Sequence, residues 1–428
     1  MTDARPVVVD ADPGSDDALA LLLLAASERT ELAAVTAVAG NTTLERAVAN
    51  AVHTLEVAGR PDVPVHPGAD GPLVAESETA EDVHGQGGLG ALHPDPDRPA
   101  SDVDAVEALR DPPGEAPTLL CLGPLTNVGR ALERDPDLGE RYADVVVMAG
   151  ACGAAGNVTP AAEFNAWFDP HAARRVLDGL DVTLVDWGVA ERAGTLDDGL
   201  LDRVAAADTE RAEFATDALA VSREHDRRHG GTVVADALAA TITLAPDVAT
   251  RTREAGVTVD DREGLTRGFT AADPAGSGTT VVEAADGDRF RAAIEATLRG
   301  GDPDAALANP DRALLQRARR ACDGARVPET GYEVGAALRT ADGTVFAGCN
   351  VEGDGAAVHA EAAALSAALA AGHDEFEALA VSSGAEDGVA PCEDCRALLR
   401  AHCAATLRVS SDRGTDRETW TLVSLPPP

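Results

Sequence analysis

The stretch that decides the fold is residues 7–18, which read Val-Val-Val-Asp-Ala-Asp-Pro-Gly-Ser-Asp-Asp-Ala. It begins with β-branched apolar residues, Gly14 permits a sharp turn, and an apolar helical pattern follows. We therefore predict a buried strand, a turn and a helix. The turn carries four carboxylates within eight residues, at positions 10, 12, 16 and 17. Ligands of open α/β sheets bind at the carboxyl ends of strands, so a functional site is expected here.

The rest of the first three hundred residues alternates short apolar runs with longer helical patterns. The predicted strands are Val7 to Asp10, Leu32 to Val38, Thr118 to Leu122, Asp144 to Met148 and Val182 to Asp186. The predicted helices include Asp17 to Ala26, Leu44 to Ala58, Glu213 to His229 and Phe290 to Arg299. Such alternation is typical of the α/β class, and we predict an open, mostly parallel sheet covered by helices.

A second domain is expected because 428 residues exceed one ordinary compact core. The turn-forming residues Gly300 to Pro303 place the boundary near residue 305, which gives domains 1–305 and 306–428. The elements predicted beyond it are a helix from about Asp311, a strand from Val334 to Leu338, a turn at Asp342-Gly343, a strand near Val345, a helix from Ala360 to Ala371 and a strand from Leu379 to Ser382. This pattern indicates a small α+β or α/β domain.

Charge excludes several classes of function. Acidic residues outnumber basic ones by 73 to 35, the formal net charge is −38, and the basic residues other than histidine are all arginine. Such a field repels nucleic acid and anionic membranes, so we expect neither as a partner and expect small-molecule substrates. The missing lysine excludes a P-loop, a Schiff base and a Ser–Lys dyad. The acidity is scattered over the whole chain, which indicates adaptation to concentrated salt.

Hydropathy and cysteine content indicate the compartment. No run of about 18 uncharged apolar residues occurs, and no basic region precedes an apolar stretch near residue 1, so we predict neither a membrane span nor a signal peptide. Seven cysteines, an odd number, argue against a disulfide framework. We therefore expect a soluble, cytoplasmic protein. The cysteines expected to be buried apolar residues are Cys121, Cys152, Cys322, Cys349 and Cys403.

The carboxylates of the first turn have two interpretations. Asp16 and Asp17 could cap a helix, whose N-terminus favours negative charge. Capping accounts for one or two of the four carboxylates. Four converging carboxylates repel one another and require a cation, and hard oxygen ligands favour Ca²⁺ or Mg²⁺ over Zn²⁺. We therefore predict a metal site at the end of the first strand.

This part of the chain, about residues 5–300, resembles the inosine–uridine nucleoside hydrolase family, whose opening signature is Asp-x-Asp-Pro-Gly-x-Asp-Asp-Ala. Further matches follow in order at residues 39–41, 84–85, 88–90, 122–127, 148, 150, 156–160, 162–165 and 169–170. The resemblance implies a Ca²⁺ ion held by Asp12, Asp17, the Thr126 carbonyl and Asp236. It also implies ribose contacts from Asp16, Asn41, Asn157, Glu163, Asn165 and Asp236, with His84 and Met148 completing the substrate-binding set.

The chemistry of N-glycosidic cleavage explains such a set. The reaction passes through an oxocarbenium-like state, whose positive charge carboxylates stabilise. The metal lowers the pKa of a bound water, and we expect Asp12 to be the catalytic group that deprotonates it. Many family members carry a histidine just before the last metal-binding aspartate, where it can protonate the departing base, but this chain has Ala235. His225 and His229 are candidates to replace it, and a solvated surface position is the alternative for each.

A second constellation lies in the C-terminal part. His359-Ala360-Glu361 is predicted to open one helix and Pro391-Cys392-Glu393-Asp394-Cys395 another. His-x-Glu followed by Pro-Cys-x-x-Cys is a zinc-deaminase signature, whereas a lone Cys-x-x-Cys would suggest a redox pair. Thiolate and imidazole select Zn²⁺, and three protein ligands, His359, Cys392 and Cys395, leave a position for water. Glu361 would be the catalytic proton shuttle.

About residues 311–425 resemble the cytidine deaminase family, with matches at residues 334–338, 348–352, 358–361, 364–365, 391–396 and 424–426. The resemblance implies a small α/β/α zinc deaminase domain in which Asn350 and Glu352 bind the ribose 3′-hydroxyl. Residues 327–332, Val-Pro-Glu-Thr-Gly-Tyr, depart from the usual Ala-Pro-Tyr-Ser, although Tyr332 keeps an aromatic side chain near the base. The loop before His359 is also about two residues shorter than in many relatives, so a neighbouring subunit's contribution would differ.

Together the two resemblances imply a bifunctional enzyme of nucleoside catabolism. Cytidine would be deaminated to uridine and then hydrolysed to uracil and ribose, which favours pyrimidine ribonucleosides as hydrolase substrates. One alternative is a purine- or broad-specificity hydrolase joined to the deaminase. Another, motivated by Ala235, is a silent nucleoside-binding N-terminal domain beside an active deaminase. Both families form oligomers, so a homo-oligomer is expected.

Overall fold

The structure is a computed structural model that describes residues 4–74, 79–96, 98–226, 230–308, 310–383, 390–413 and 416–425. The chain divides into two compact units, Met1–Ala305 and Ala306–Pro428. None of the helices in the described part of the chain has the length and apolar character that crossing a membrane requires.

The N-terminal unit alternates strands and helices. Its strands are β1 (Arg5–Ala11), β2 (Thr30–Ala37), β3 (Val65–Pro67), β4 (Thr118–Cys121), β5 (Asp144–Met148), β6 (Val182–Val185), β7 (Thr195–Leu196), β8 (Thr232–Val233), β9 (Ala249–Val259), β10 (Thr270–Asp273) and β11 (Thr279–Ala285). Its helices are α1 (Ser15–Ala26), α2 (Leu44–Val57), α3 (Glu81–His84), α4 (Ala105–Arg110), α5 (Thr126–Arg134), α6 (Phe164–Phe168), α7 (Pro170–Gly179), α8 (Trp187–Ala193), α9 (Asp198–Ala205), α10 (Glu210–Ala218), α11 (Ala220–Asp226), α12 (Ala235–Leu244) and α13 (Gly287–Leu298). A further helix, α14 (Pro303–Leu307), spans the division between the units.

Nine of these strands form one sheet in the order β10-β9-β11-β6-β5-β4-β1-β2-β3. The seven strands from β11 to β3 are parallel, and β9 and β10 extend the sheet in antiparallel fashion. The chain runs outward through β1, β2 and β3 on one side and through β4, β5 and β6 on the other. The strand order therefore reverses between β1 and β4, and such a reversal opens the crevice where ligands bind. The predicted open, mostly parallel sheet is confirmed.

Helix α1 follows β1 and is buried on nearly all sides. Every residue from Ala18 to Leu24 is buried, and the helix packs against α2 and α12. A helix that is apolar all round is stable only inside a core. This packing fixes the first turn of α1, which carries Asp16 and Asp17, at the carboxyl end of β1.

The helix predicted from Glu213 to His229 is instead two helices, α10 and α11. The break has a packing cause, because the loop after α3 lies against the end of α10, where Ala91 N–H donates to the Asp217 carbonyl at 3.0 Å. Gly90, with φ of 58°, makes this close approach possible, since a Cβ there would collide with that carbonyl oxygen. His229 lies outside the described residues.

The C-terminal unit contains a five-stranded sheet of order β13-β12-β16-β17-β18, in which only β16 and β17 pair in parallel. Its strands are β12 (Val334–Thr340), β13 (Val345–Cys349), β14 (Val351–Gly353), β15 (Ala356–Val358), β16 (Phe376–Ser383), β17 (Arg408–Arg413) and β18 (Asp416–Thr421). Its helices are α15 (Pro310–Cys322), α16 (Ala360–Ala370) and α17 (Glu393–His402). The sequence pattern did not predict the closing hairpin of β17 and β18.

Helices cover both faces of this second sheet. Leu314, Leu315 and Ala318 of α15 pack on one face, against one alanine of β12 and two of β16, at positions 337, 378 and 380. Helices α16 and α17 pack on the other, where the core includes Leu365 and Leu399. The three-layer α/β/α arrangement is therefore confirmed.

The expectation that five cysteines are buried holds for only part of the set. Cys121 and Cys322 are buried, whereas Cys152, Cys349 and Cys403 are partly exposed. The partly exposed three lie in loops or at the ends of elements, which sequence context did not distinguish from the core.

Candidate active sites

The carboxyl end of β1 carries a cluster of acidic side chains. Asp12 directly follows β1, and Asp16 and Asp17 lie in the first turn of α1. Asp236 joins them from the first turn of α12. One carboxylate oxygen each of Asp16, Asp17 and Asp236 lies within 4.8 Å of the other two. Negative charges this close in a buried site repel one another, so the cluster favours a bound cation or shared protons.

Asp17 has one oxygen bonded within the protein and one left over. Its Oδ2 accepts from Gly14 N–H at 2.9 Å and from Asn41 Nδ2 at 3.1 Å. Its Oδ1 is buried and has no hydrogen-bond donor among the described residues. The Asp236 carboxylate can form a hydrogen bond with Asp17 only if the two carboxylates share a proton. Burial, followed by the charge of Asp16, raises the pKa of Asp17 to about 7. A buried carboxylate oxygen without a donor fits a hard metal ion.

Asp12 is held against two glycines. Its Oδ2 accepts from Asn41 N–H at 2.6 Å. A side chain at Gly40 or Gly123 would collide with the Asp12 carboxylate, and a Cβ on Gly123 would lie 2.6 Å from Oδ1. Burial, and next the charge of Asp17, raise the pKa of Asp12 well above its ordinary value. A carboxylate with a raised pKa is a better proton acceptor at neutral pH than an ordinary one.

Glu163 and Asn165 are fixed by backbone groups at the start of α6. Glu163 caps this helix, accepting from Asn165 N–H at 2.7 Å, and its other oxygen accepts from Gly150 N–H at 2.7 Å. Burial raises the pKa of Glu163 to about 7. The Asn165 amide donates to the carbonyls of Leu122 and Met148, at 2.6 and 3.0 Å. These bonds orient both side chains before any ligand binds.

Asp12, Asp16 and Asp236 of the acidic cluster line one cavity of about 240 Å³ together with this helix start. The predicted site residues that line it are Asp12, Asp16, Asn41, His84, Met148, Asn157, Glu163, Asn165 and Asp236. Asn157 is exposed, and its Oδ1 accepts from Phe164 N–H at 2.9 Å. Asp17 and Thr126 are fully buried and do not line the cavity. Thr126 begins α5, and its hydroxyl donates to Asp169 at 2.7 Å.

His84 lies beside the acidic cluster. Its Nδ1 is 2.9 Å from Ser15 Oγ and 3.8 Å from Asp16 Oδ1. The same serine hydroxyl is 2.8 Å from Ser222 Oγ of α11. Burial lowers the pKa of His84, which favours the neutral imidazole.

The cavity also has residues that the sequence did not predict. They are Ala80, Val83, Phe164, Trp187, Glu191, Ser222, Asp226 and Val233, and His225 lines the same cavity. Trp187 begins α8, two residues after the last residue of β6, so the rule that ligands bind at strand carboxyl ends could have found it. Ser222 and Asp226 depend on how α11 folds against α3, which no local pattern indicates.

The second constellation assembles in the C-terminal unit. His359 is the N-cap of α16, Cys392 is the N-cap of α17, and Cys395 lies in the first turn of α17. His359 Nδ1 is 3.2 Å from the Cys392 sulfur and 3.3 Å from the Cys395 sulfur. Glu361 is buried in the first turn of α16. Burial, followed by the charge of Glu361, raises the pKa of Cys395. Two thiols and an imidazole at these separations fit a tetrahedral soft ion.

Asn350 and Glu352 both form hydrogen bonds with the turn at residues 329–332. The Asn350 amide donates to the Tyr332 carbonyl at 2.8 Å. Glu352 accepts from the backbone N–H groups of Glu329 and Thr330 at 3.0 Å each, and from the Thr330 hydroxyl. The Thr330 bond is the main cause that lowers the pKa of Glu352. These hydrogen bonds orient both predicted ribose-binding residues. The turn that makes them belongs to residues 327–332, the segment that departs from the usual family pattern.

Comparison with known sequences identifies two families. Residues 7–292 match the inosine-uridine preferring nucleoside hydrolase family, and residues 308–410 match the cytidine and deoxycytidylate deaminase zinc-binding region. The chain therefore belongs to the inosine-uridine preferring nucleoside hydrolase family and carries, after it, a cytidine and deoxycytidylate deaminase zinc-binding region. The resemblance inferred for each part of the sequence is confirmed.

The names of individual relatives differ in the nucleoside base that they specify. The pyrimidine-specific ribonucleoside hydrolase RihA of Klebsiella pneumoniae is 43% identical over 199 residues, which cover 45% of this chain and 63% of that protein. RihA of Shewanella woodyi is 40% identical over 220 residues, 50% of this chain and 70% of that protein. The structure of the purine-preferring ribonucleoside hydrolase from Gardnerella vaginalis superimposes with a TM-score of 0.65 at 27% identity, over 71% of this chain and 100% of that one. The chain thus aligns with roughly two thirds of the length of these curated relatives.

Proposed function

We propose that this protein hydrolyses the N-glycosidic bond of ribonucleosides in its N-terminal unit and deaminates cytidine in its C-terminal unit. The observation that carries the proposal is that each unit assembles its own reactive set. Carboxylates that follow β1 or lie in the first turns of α1 and α12 line or adjoin one cavity. An imidazole and two thiols converge beside a buried glutamate. Both sets combine residues from distant parts of the sequence.

The acidic cluster fits calcium. The proposed ligands are Asp12, Asp17, the Thr126 carbonyl and Asp236, and the unbonded Oδ1 of Asp17 supports a hard cation at this place. Calcium, when bound, would neutralise the clustered charge and make an attacking water more acidic. Asp16 also lies within the cluster, so its carboxylate would also be close to the positive charge of a bound calcium ion.

The protein side chains around the cavity account for the hydrolytic step. Asp12 accepts a proton from the attacking water as the water oxygen bonds to the anomeric carbon and the bond to the base breaks. Glu163 and Asn165, fixed by backbone contacts, bind ribose hydroxyls together with Asp16, Asn41 and Asn157. The ring charge that develops is stabilised by the same carboxylates. The products are the free base and ribose.

The thiol and imidazole set fits zinc, held by His359, Cys392 and Cys395. Zinc, when bound, would acidify the water that attacks the cytosine ring. Glu361 accepts one proton of that water and delivers it to the ring nitrogen as the water oxygen bonds to the ring carbon. It then carries the second proton, from the new hydroxyl, to the amino group, which leaves as ammonia while the carbonyl of uridine forms. Asn350 and Glu352, oriented by the turn at residues 329–332, bind the ribose.

Pyrimidine ribonucleosides are the proposed hydrolase substrates. The RihA relatives that share 40 and 43% identity with the chain are named pyrimidine-specific. Uridine produced from cytidine by one unit would then be the substrate of the other. The purine-preferring Gardnerella structure supports the alternative of a purine- or broad-specificity hydrolase. The complete acidic cluster counts against a silent N-terminal unit, which Ala235 alone suggested.

The working environment follows from charge and cysteine content. A net charge of −38 favours a salt-rich cytoplasm, where ions screen self-repulsion. The described cysteines are all free thiols, which fits a reducing compartment. Family resemblance favours a homo-oligomer as the assembled form.

The proposal is tested by incubating the full-length protein with uridine, inosine and cytidine and measuring free ribose and ammonia. We expect ribose from uridine and ammonia from cytidine. Asp12→Asn should abolish ribose release and retain ammonia release, and Glu361→Gln should do the reverse. Asp70→Asn and Glu375→Gln, which change exposed acids, are the matched controls. Ribose from inosine but not uridine would establish the purine alternative, and no ribose from either would establish the silent unit.

A further inference from the structure

The end of α11 presents a histidine–carboxylate pair to the nucleoside cavity. His225 and Asp226 both line the cavity, and His225 Nδ1 lies 3.0 Å from Asp226 Oδ1. The His225 side chain is 47% exposed, whereas that of Asp226 is 14% exposed. The carboxylate is therefore the fixed member of the pair, and it orients the imidazole ring.

Asp226 is anchored on its other side to the strand that precedes α12. Its Oδ2 accepts from Val233 N–H of β8 at 3.2 Å. Two residues after Val233 the chain enters α12, whose first turn carries Asp236 of the acidic cluster. The position of the His225 ring is thus tied, through Asp226 and β8, to the element that contributes a cluster carboxylate.

The other histidine of the cavity is differently placed. His84 has its Nδ1 beside Ser15 Oγ and lies next to Asp16, within the carboxylate end of the cavity. Burial lowers its pKa, which favours the neutral imidazole. Ala235, between β8 and Asp236, has no group that can donate a proton. Among the described cavity residues, His225 is the imidazole that has a carboxylate partner of its own outside the acidic cluster.

From this geometry we infer that His225 protonates the departing base and that Asp226 is its positioning residue, an inference that rests on the proposed hydrolase function. In the step, water oxygen bonds to the anomeric carbon, and the carbon–nitrogen bond to the base breaks. Its electron pair stays on the base, which takes a proton from His225 Nε2. Asp12 takes the proton of the water, and both groups then re-equilibrate with solvent. The balance is nucleoside plus water to base plus ribose.

Several charged groups lie around His225 in the described part of the cavity. Asp226 is adjacent on α11, Glu191 of α8 and Asp16 of α1 line the same cavity, and Asp82 of α3 acts on the neighbouring His84. His84 is the other imidazole among the described residues that line the cavity. β8 contributes Thr232 and Val233, which carry no charge. The other charged groups among the described residues that line the cavity with His225 are therefore carboxylates, apart from His84.

The test compares two leaving groups in full-length protein saturated with calcium. Uridine needs its base protonated, whereas 4-nitrophenyl β-ribofuranoside releases a stable anion that needs no proton. We expect His225→Gln to lower kcat/KM for uridine by about 100-fold or more, the usual range of general acid catalysis, and to change the nitrophenyl riboside rate by less than about threefold. Retained hydrolysis of the nitrophenyl substrate also shows that the unit is folded.

The matched control is His171→Gln, because His171 is a partly exposed histidine 3.6 Å from a carboxylate, that of Asp261, but lies outside the cavity. It should leave both rates unchanged. Equal losses of His225→Gln on both substrates, or no loss on either, would overturn the inference. If the unsubstituted protein releases ribose from neither substrate, the proposed hydrolase function is itself wrong.

Asp226→Asn tests the positioning role. The asparagine amide would point a donor N–H at His225 Nδ1. A donor in this position disfavours a proton on Nδ1 and therefore disfavours the doubly protonated ring. We expect the alkaline limb of the uridine pH–rate profile to move to lower pH, with the nitrophenyl riboside profile unchanged. A uniform loss at every pH on both substrates would mean that Asp226 supports only the local structure.

Discussion

At the scale of single residues, Asp17 is the member of the acidic cluster that combines fixed hydrogen bonds to the protein with an oxygen available to a metal ion. One of its oxygens accepts two hydrogen bonds, and the other is buried without a donor in the described part of the chain. We expect Asp17→Asn to abolish calcium binding, because it removes the charge and places an amide nitrogen in the cluster. Without calcium the variant should be at least as stable as the parent, since one of several repelling buried carboxylates is gone.

Calcium-dependent stability measures this effect directly. In the parent protein, calcium at 100 times its dissociation constant should raise the unfolding free energy by about 2.7 kcal/mol. Asp17→Asn should show no calcium-dependent increase, while the exposed control Asp70→Asn should keep the full one. Calcium stabilisation of Asp17→Asn equal to that of the parent would mean that the ion binds elsewhere.

The site residues differ in how far sequence could predict them. Asp12, Asp16 and Asp17 are neighbours in one short motif, and their convergence follows from the strand and turn that carry them. Trp187 and Asp226 carry no motif and reach the cavity only through the packing of whole elements. A local pattern records which residues are close along the chain, and tertiary contacts between α11, α3 and β8 are not encoded there.

At the scale of elements, helix α6 depends on a cap that is also a site carboxylate. Glu163 accepts backbone N–H groups at the start of α6, and burial raises its pKa from 4.5 to about 7. The folded protein therefore holds a proton there that the unfolded chain has lost, between about pH 4.5 and 7. Stability must fall as pH rises through this window, by at most about 3 kcal/mol from this group.

Glu163→Gln should remove that pH dependence. Glutamine lacks the second acceptor oxygen, so at pH 5 the variant should be less stable than the parent by about 1–2 kcal/mol from weaker capping. The difference in unfolding free energy between parent and variant should shrink as pH rises from 5 to 8, measured without calcium. Tryptophan fluorescence in a Trp420→Phe background would report the N-terminal unit alone, because Trp167 and Trp187 lie there. Parallel pH curves for the two proteins would contradict the prediction.

Helices and strands could be predicted where the apolar residues follow a single clear pattern. Strands β1, β2, β4, β5 and β6 were found within about two residues, because apolar β-branched runs between turns have few other interpretations. The continuous helical pattern over α10 and α11 concealed a break. That break comes from the loop around Gly90, which lies more than a hundred residues earlier in the chain.

At the scale of the whole molecule, the two reactive sets lie in separate compact units, each with its own core. Cys392→Ser should therefore lose zinc, measured by metal analysis, and stop releasing ammonia from cytidine. Ribose release from uridine should stay within about twofold of the parent. A matched change, Cys403→Ser, alters a partly exposed cysteine outside the metal set and should retain both activities. Loss of ribose release in Cys392→Ser would show that the hydrolase depends on the zinc set.

The charge of the whole chain predicts a salt requirement. At −38, with 73 acidic and 35 basic residues spread over both units, self-repulsion opposes the compact state at low ionic strength. The screening length falls from about 10 Å at 0.1 M salt to about 3 Å at 1 M, which is shorter than most separations between surface carboxylates. We expect the unfolding temperature to rise steeply with KCl over this range and then more slowly. A sucrose series of equal osmolality, which screens no charge, should raise it much less, and full stability at low ionic strength would rule out adaptation to salt.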